Sequence, residues 1–215
     1  MPTAGRFLWI HGIPGSGKSV LASFIIEHVK TLVSSRTGLG YSFYYCHYTH
    51  GEDEGTSFLR WIVSHLSRQA RWAPAALKRL HESGCDPTTF ELLSILESVL
   101  QRVDTAYVVI DGIDESNPRE QLLSTLITLA SDNRFSRLHL LATSRLSRDI
   151  ETTFSGISTN ISMSNKFVDQ DIRNFIHDWM ARSPQMSRWA SMAPWIEAKL
   201  CSGAKGMYAT PQSPN

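Results

Sequence analysis

Apolar positions along the chain fall into short uninterrupted runs separated by stretches of helical period. That alternation predicts a parallel sheet wrapped by helices. The first run, Phe7–His11, ends in Gly12, and a helix from about Lys18 to Val33 follows with Leu21, Ile25, Val29 and Leu32 on one face. Ser34, Ser35 and Gly38 break it. Tyr41–Tyr48 is rich in aromatic residues, which suits a pleated surface. Two or three helices come next, with apolar stripes at Phe58, Leu59, Ile62, Val63, Leu66 and at Leu92, Leu93, Leu96, Val99, Leu100. Pro74 and Asp86-Pro87 punctuate the stretch between them. Tyr107–Ile110 is an unbroken apolar run, the mark of a strand buried on both faces. Asn117-Pro118-x-Glu120 has the residues of a helix start, with Asn117 as N-cap, and Leu122, Leu123, Leu126, Ile127 and Ala130 continue that helix. Leu138–Thr143 predicts a fourth strand and Asn160–Met163 a short fifth.

Beyond residue 165 the period becomes wholly helical, with Ile172, Phe175, Ile176, Trp179 and Met180 on one stripe and a further helix from Pro194 to Leu200. The expected division is a core over 1–165, part of a helical domain over 166–208 and a disordered tail over 209–215. Trp61, Trp179 and Trp189 fall at helical spacings and are expected in the core.

The 215 residues, 42% hydrophobic and 19% charged, describe an ordinary globular chain. A formal net charge of +1 argues against a strongly basic nucleic-acid surface. No apolar run approaches the roughly 20 residues that cross a membrane, and Met1–Trp9 lacks a signal-peptide pattern. Cys46, Cys85 and Cys201 are far apart, so reduced thiols in a cytoplasmic protein are expected. His11, His47, His50 and His65 show no ligand spacing with a carboxylate and read as core or solvated histidines.

Gly12-Ile13-Pro14-Gly15-Ser16-Gly17-Lys18-Ser19 matches G-x-x-x-x-G-K-S in full, between an apolar strand and an amphipathic helix. The glycines let backbone N–H groups converge on phosphate oxygens, and the N-terminus of the helix adds its positive field. The candidate nucleotide contacts are therefore Gly12, Pro14, Gly15, Ser16, Gly17, Lys18, Ser19 and Val20. Lys18 reaches the terminal phosphates, and Ser19 is a ligand for Mg²⁺. Asp111 ends the strand Tyr107–Ile110 and is the natural second Mg²⁺ ligand, with Gly112 leaving room beside it. Of the acidic pair that follows, Glu115 is favoured to activate the attacking water and Asp114 to support the metal. The plainer alternative makes both of them caps of the next helix. Arg145 would face the γ-phosphate if the fourth strand lies between the loop strand and the Asp111 strand, although spacing alone also allows a solvated loop arginine. Asn165-Lys166-Phe167-Val168-Asp169 misses the guanine-reading N-K-x-D pattern by one residue, and Asp111-Gly112-Ile113-Asp114 lacks D-x-x-G, which leaves adenine as the expected base.

Phe7–Lys18-Ser19, Tyr107–Ile110 with Asp111-Gly112-Ile113-Asp114-Glu115, and Leu141-Ala142-Thr143-Ser144-Arg145 together resemble the NACHT family of STAND signalling NTPases, closest to fungal NOD-like receptors and nephrocystin-type modules. Tyr41–Cys46, Asp171–Ile176 and Gly203–Tyr208 resemble further segments of that family, so the likeness spans roughly residues 5–208. It implies an α/β three-layer P-loop NTPase with a five-stranded parallel sheet in the order 5-1-4-3-2, followed by the start of a helical domain. It also implies a switch between ADP and ATP (or dATP) states with slow hydrolysis, and it assigns Arg145 to the terminal phosphate. The effector and repeat domains that relatives carry, and the winged helix that closes over ADP, have no counterpart in these residues, so an open adenine side and self-association are expected. Two other readings stand beside this one. The loop suits a small-molecule kinase, although no arginine-rich lid is evident, and a truncated or degenerate nucleotide-binding paralogue would carry the same motifs.

Overall fold

The computed structural model of the chain describes residues 5–47, 54–84 and 86–163, with scattered positions between 170 and 199. Five parallel strands form one sheet: β1 (Phe7–His11), β2 (Leu39–Tyr45), β3 (Thr105–Asp111), β4 (Leu138–Ser144) and β5 (Thr159–Ser162). Their order is β2-β3-β4-β1-β5, the order expected, with β4 between the loop strand and the Asp111 strand. Among the described residues six α-helices connect them: α1 (Lys18–Ser35), α2 (Gly55–Gln69), α3 (Ala75–Ser83), α4 (Thr89–Leu100), α5 (Glu120–Ser131) and α6 (Arg148–Phe154).

The layers follow from strand alternation. Phe7 and Trp9 of β1, Val108 and Ile110 of β3, and Leu138, Leu140 and Ala142 of β4 share a core with α2, α4, α5 and α6. The opposite side chains, Val109 with Phe43 and Leu141 at its border, meet α1 through Ala22 and Ile26. The result is a three-layer α/β sandwich. The α2 stripe from Phe58 to Leu66 is buried as its period predicts. A capping box starts α4, with the Thr88 hydroxyl accepting from Glu91 N–H and the Glu91 carboxylate accepting from Thr88 N–H.

Several local expectations shift. In α1 the fully buried residues are Ala22 and Ile26, and Leu21, Ile25, Val29 and Leu32 are half-buried, with Ile25 packed against that core. The apolar stripe is wider than the strip that is fully buried. β2 starts two residues earlier and stops at Tyr45. Asn117 is not an N-cap: the Asn117-Pro118 bond is cis and α5 begins at Glu120 after Arg119. There the Ser116 hydroxyl donates to Pro118 O, which shapes the turn outside the helix. Trp61 is 47% exposed, lying against Phe43 and His65 beside the β2 edge of the sheet. Trp179, Trp189, Cys85, Cys201 and the Asn165–Asp169 segment lie outside the described residues, as do most of the expected helical domain and the whole tail.

Candidate nucleotide-binding site

Parallel strands bring their C-terminal ends to one edge of the sheet, and the candidate residues gather there. His11 pairs in register with Ser144, and Gly12 N–H donates to Ser144 O at 3.3 Å, which ties the loop start to β4. A Cβ on Gly12 would lie 2.8 Å from both Met163 Cβ and Ser16 Oγ, so only glycine fits between the loop and the end of β5. Gly15 and Gly17 take φ of 73° and 87°, the left-handed region in which a Cβ is strained. Gly17 is the N-cap of α1, with no side-chain cap and no acidic residue in the first turn. The positive end of α1 is thus left for a ligand.

The Lys18 ammonium donates to the Gly12 and Ile13 carbonyls, both at 2.9 Å, and to Ser16 Oγ at 3.5 Å. Burial lowers its pKa from the ordinary lysine value, opposed by Asp114 and reinforced by Arg145. Opposite the loop, buried Asp111 accepts a hydrogen bond from the fully buried Thr143 hydroxyl. Thr143 Oγ1 also accepts from Gly112 N–H at 3.0 Å. Gly112 has φ of 76°, and a Cβ there would make only ordinary contacts with Glu115, so the backbone turn rather than space requires the glycine.

Asp114 and Glu115 lie on a 3-10 turn, Ile113–Glu115, and point differently. Asp114 Oδ1 accepts from Arg145 N–H at 2.8 Å, and Oδ2 lies 3.2 Å from Arg145 Nε. Glu115 is exposed at the cleft. Arg119 braces the turn from behind, donating to Asp114 O at 2.8 Å and to Asp149 on α6 at 2.8 Å.

A cleft of about 370 Å³ brings together Pro14, Gly15, Gly17, Lys18, Ser19 and Val20 with Asp111, Gly112, Asp114, Glu115, Thr143 and Arg145. Of the residues singled out in the sequence, only Gly12 and Ser16 lie outside its lining, the latter fully buried within the loop. Thr143 and Arg119 were not singled out. A hydroxyl at the end of an apolar strand was the available sign for Thr143, whereas nothing in the sequence pairs Arg119 with Asp149.

A glycine-shaped loop facing a strand-end carboxylate across a cleft, on a parallel sheet in this order, defines a P-loop NTPase fold. Residues 1–145 match the family described as nephrocystin 3, N-terminal, and the chain belongs to that family, within the NACHT/STAND P-loop NTPases. It is 27% identical over 218 residues to vegetative incompatibility protein HET-E-1 of Podospora anserina, covering 94% of this chain and 16% of that protein. Among solved structures it resembles the STAND protein PH0952 of Pyrococcus horikoshii, which has a tetratricopeptide repeat sensor. That match has 16% identity and a TM-score of 0.57, covering all of this chain and 28% of the other. The chain therefore spans less than a third of either relative's length. Among the described residues no helix is long and apolar enough to cross a membrane.

Proposed function

We propose that this chain is the adenine-nucleotide-binding NACHT module of a STAND-type switch, binding ATP or dATP with Mg²⁺ and hydrolysing it slowly. The carrying observation is the cleft itself: the open positive end of α1, the Lys18 ammonium and Arg145 all border one space, with Asp111 across from Ser19. That donor set suits a polyphosphate. One hydroxyl and one carboxylate suit Mg²⁺, which keeps several waters and takes its remaining ligands from phosphates. Bound there, Mg²⁺ would neutralise charge on the terminal phosphates.

In this reading the loop N–H groups hold the β-phosphate, and Lys18 leaves the Gly12 and Ile13 carbonyls to reach the terminal phosphates. Thr143 fixes the Asp111 carboxylate, and Arg145 meets the γ-phosphate. Glu115 is the water-activating base, because Asp114 is engaged by Arg145 whereas the Glu115 carboxylate is exposed at the cleft. The adenine preference rests on the missing guanine motifs. The segment 166–208 would form the first part of a helical domain beside the base. HET-E-1, a vegetative incompatibility protein, and PH0952, with its repeat sensor, support a signalling rather than a metabolic role.

Thermal denaturation with ATP and Mg²⁺ tests the proposal. At about a hundred times Kd, ATP should stabilise the protein by about 2–3 kcal/mol. Lys18→Ala should lose that gain while keeping the ligand-free melting temperature. An unmoved wild-type melting temperature at millimolar ATP and Mg²⁺ would refute nucleotide binding.

A further inference from the structure

Asp114 sits between two arginines that tie the loop after β3 to the loop after β4. Its carboxylate accepts from the Arg145 backbone N–H and forms an ion pair with Arg145 Nε at 3.2 Å, while its carbonyl accepts from Arg119, whose Nε donates to Asp149. The Asp114 side chain is only 12% exposed, whereas that of Arg145 is 57% exposed. A long side chain that exposed would ordinarily sample many rotamers and lose that freedom on meeting a ligand. The contacts to Asp114 engage the backbone N–H and Nε, and the two Nη groups make no hydrogen bond among the described residues. A guanidinium held by Nε still presents two N–H-bearing ends to a phosphate oxygen.

We infer that Asp114 is a positioning residue for Arg145, holding its guanidinium ready for the γ-phosphate and thereby setting the preference for ATP over ADP. The inference rests on the nucleotide-binding reading above and gives the two acidic residues different tasks. Glu115 acts on the water; Asp114 acts through Arg145. Because ADP has no γ-phosphate, the positioned guanidinium strengthens ATP binding alone.

Two measurements on the intact chain test this. Without nucleotide, a melting-temperature cycle of Asp114→Ala, Arg145→Ala and the double variant reads the coupling of the pair. Non-additive losses support it; strictly additive ones overturn it. With Mg²⁺, calorimetric affinities for a non-hydrolysable ATP analogue and for ADP read the selection. Asp114→Ala should lose about tenfold in analogue affinity, the scale of one charge-assisted hydrogen bond, and leave ADP unchanged. In the Arg145→Ala background the same substitution should cost nothing further. Asp114→Asn keeps an acceptor for Arg145 N–H while removing the charge, so it should fold like the wild type and still lose most of the preference. That pattern is one a purely structural strap would not give. Equal weakening of analogue and ADP would make Asp114 a metal or loop residue instead, and tighter analogue binding would make it a competitor for the guanidinium; either overturns the proposal. A wild type that binds neither nucleotide refutes the underlying reading, whatever the cycle shows.

Discussion

Thr143→Val isolates one hydroxyl at the centre of the cleft. The substitution keeps the shape of the side chain and removes the oxygen that donates to Asp111 and accepts from Gly112 N–H. Thr143 is fully buried and Asp111 only 7% exposed, so water replaces the lost partner poorly. A hydrogen bond to a charged group contributes about 1.5–3 kcal/mol, and losing the partner of the half-buried Gly112 N–H costs about 1 kcal/mol, the low end for an orphaned donor. The two losses share one site and do not add fully, so about 3 kcal/mol is expected. In a chain of this size that lowers the melting temperature by about 6–12 °C. Thr143→Ser retains the hydroxyl and should recover most of the loss. With the Asp111 carboxylate free to rotate, stabilisation by ATP should also need more Mg²⁺ in the valine variant than in the serine variant. Differential scanning fluorimetry across a Mg²⁺ series reads both effects. A valine variant that melts within 2 °C of the serine variant, a gap below about 1 kcal/mol, would show that the hydroxyl does not anchor Asp111.

Glu115→Gln should preserve ATP binding and slow phosphate release by about 10²-fold, as removal of a general base does. Equal rates in variant and wild type would remove Glu115 from that role. In competition titrations ATP or dATP should displace a fluorescent nucleotide at lower concentration than GTP, and the reverse ranking would end the adenine assignment. Stability should also fall on mild acidification. Burial lowers the pKa values of His11, His65 and His139, so the unfolded chain takes up protons first as pH drops through about 6.5. The stability these neutral histidines confer is complete above that value and is lost as pH falls through their folded-state values. A melting temperature that stays flat from pH 7.5 to 5 would contradict this.

Burial decided which parts of the fold could be read from residue order. Strands β1, β3 and β4 are central in the sheet and largely buried, so their apolar runs stand out, broken only by His139 in β4, and are bounded by Gly12, Asp111 and Arg145. The edge strand β2 has one neighbour in the sheet, and its aromatic residues give no sharp start, which left its position two residues out. Helix α1 shows the limit of periodicity. An 18-residue helix with exposed Val20 and Phe24 carries more apolar surface than the sheet covers, and periodicity alone does not single out Ala22 and Ile26 as the fully buried positions. The misplaced cap at Asn117 has a different origin. The residue types were right for a helix start, but Ser116 and Arg119 fold the chain back on itself for three residues first.

The cleft divides in the same way. Its phosphate loop was legible because one stretch of backbone makes it, and the conformation of that stretch is written in its glycines. The far wall and its support are made of pairs of residues about thirty positions apart, where residue order offers no partner. Thr143 meets Asp111 between the ends of neighbouring strands, Arg145 meets Asp114 between two loops, and Arg119 meets Asp149 on α6 behind them. Adjacent carboxylates at 114 and 115 look interchangeable as letters. On the 3-10 turn after Gly112 they diverge, one toward Arg145 and the other to an exposed place on the cleft. A γ-phosphate entering between Lys18 and Arg145 would thus meet a guanidinium paired with one carboxylate, and a second carboxylate exposed at the cleft. Under the proposed function, chemistry and nucleotide discrimination would fall to neighbouring residues that differ in their contacts elsewhere in the chain.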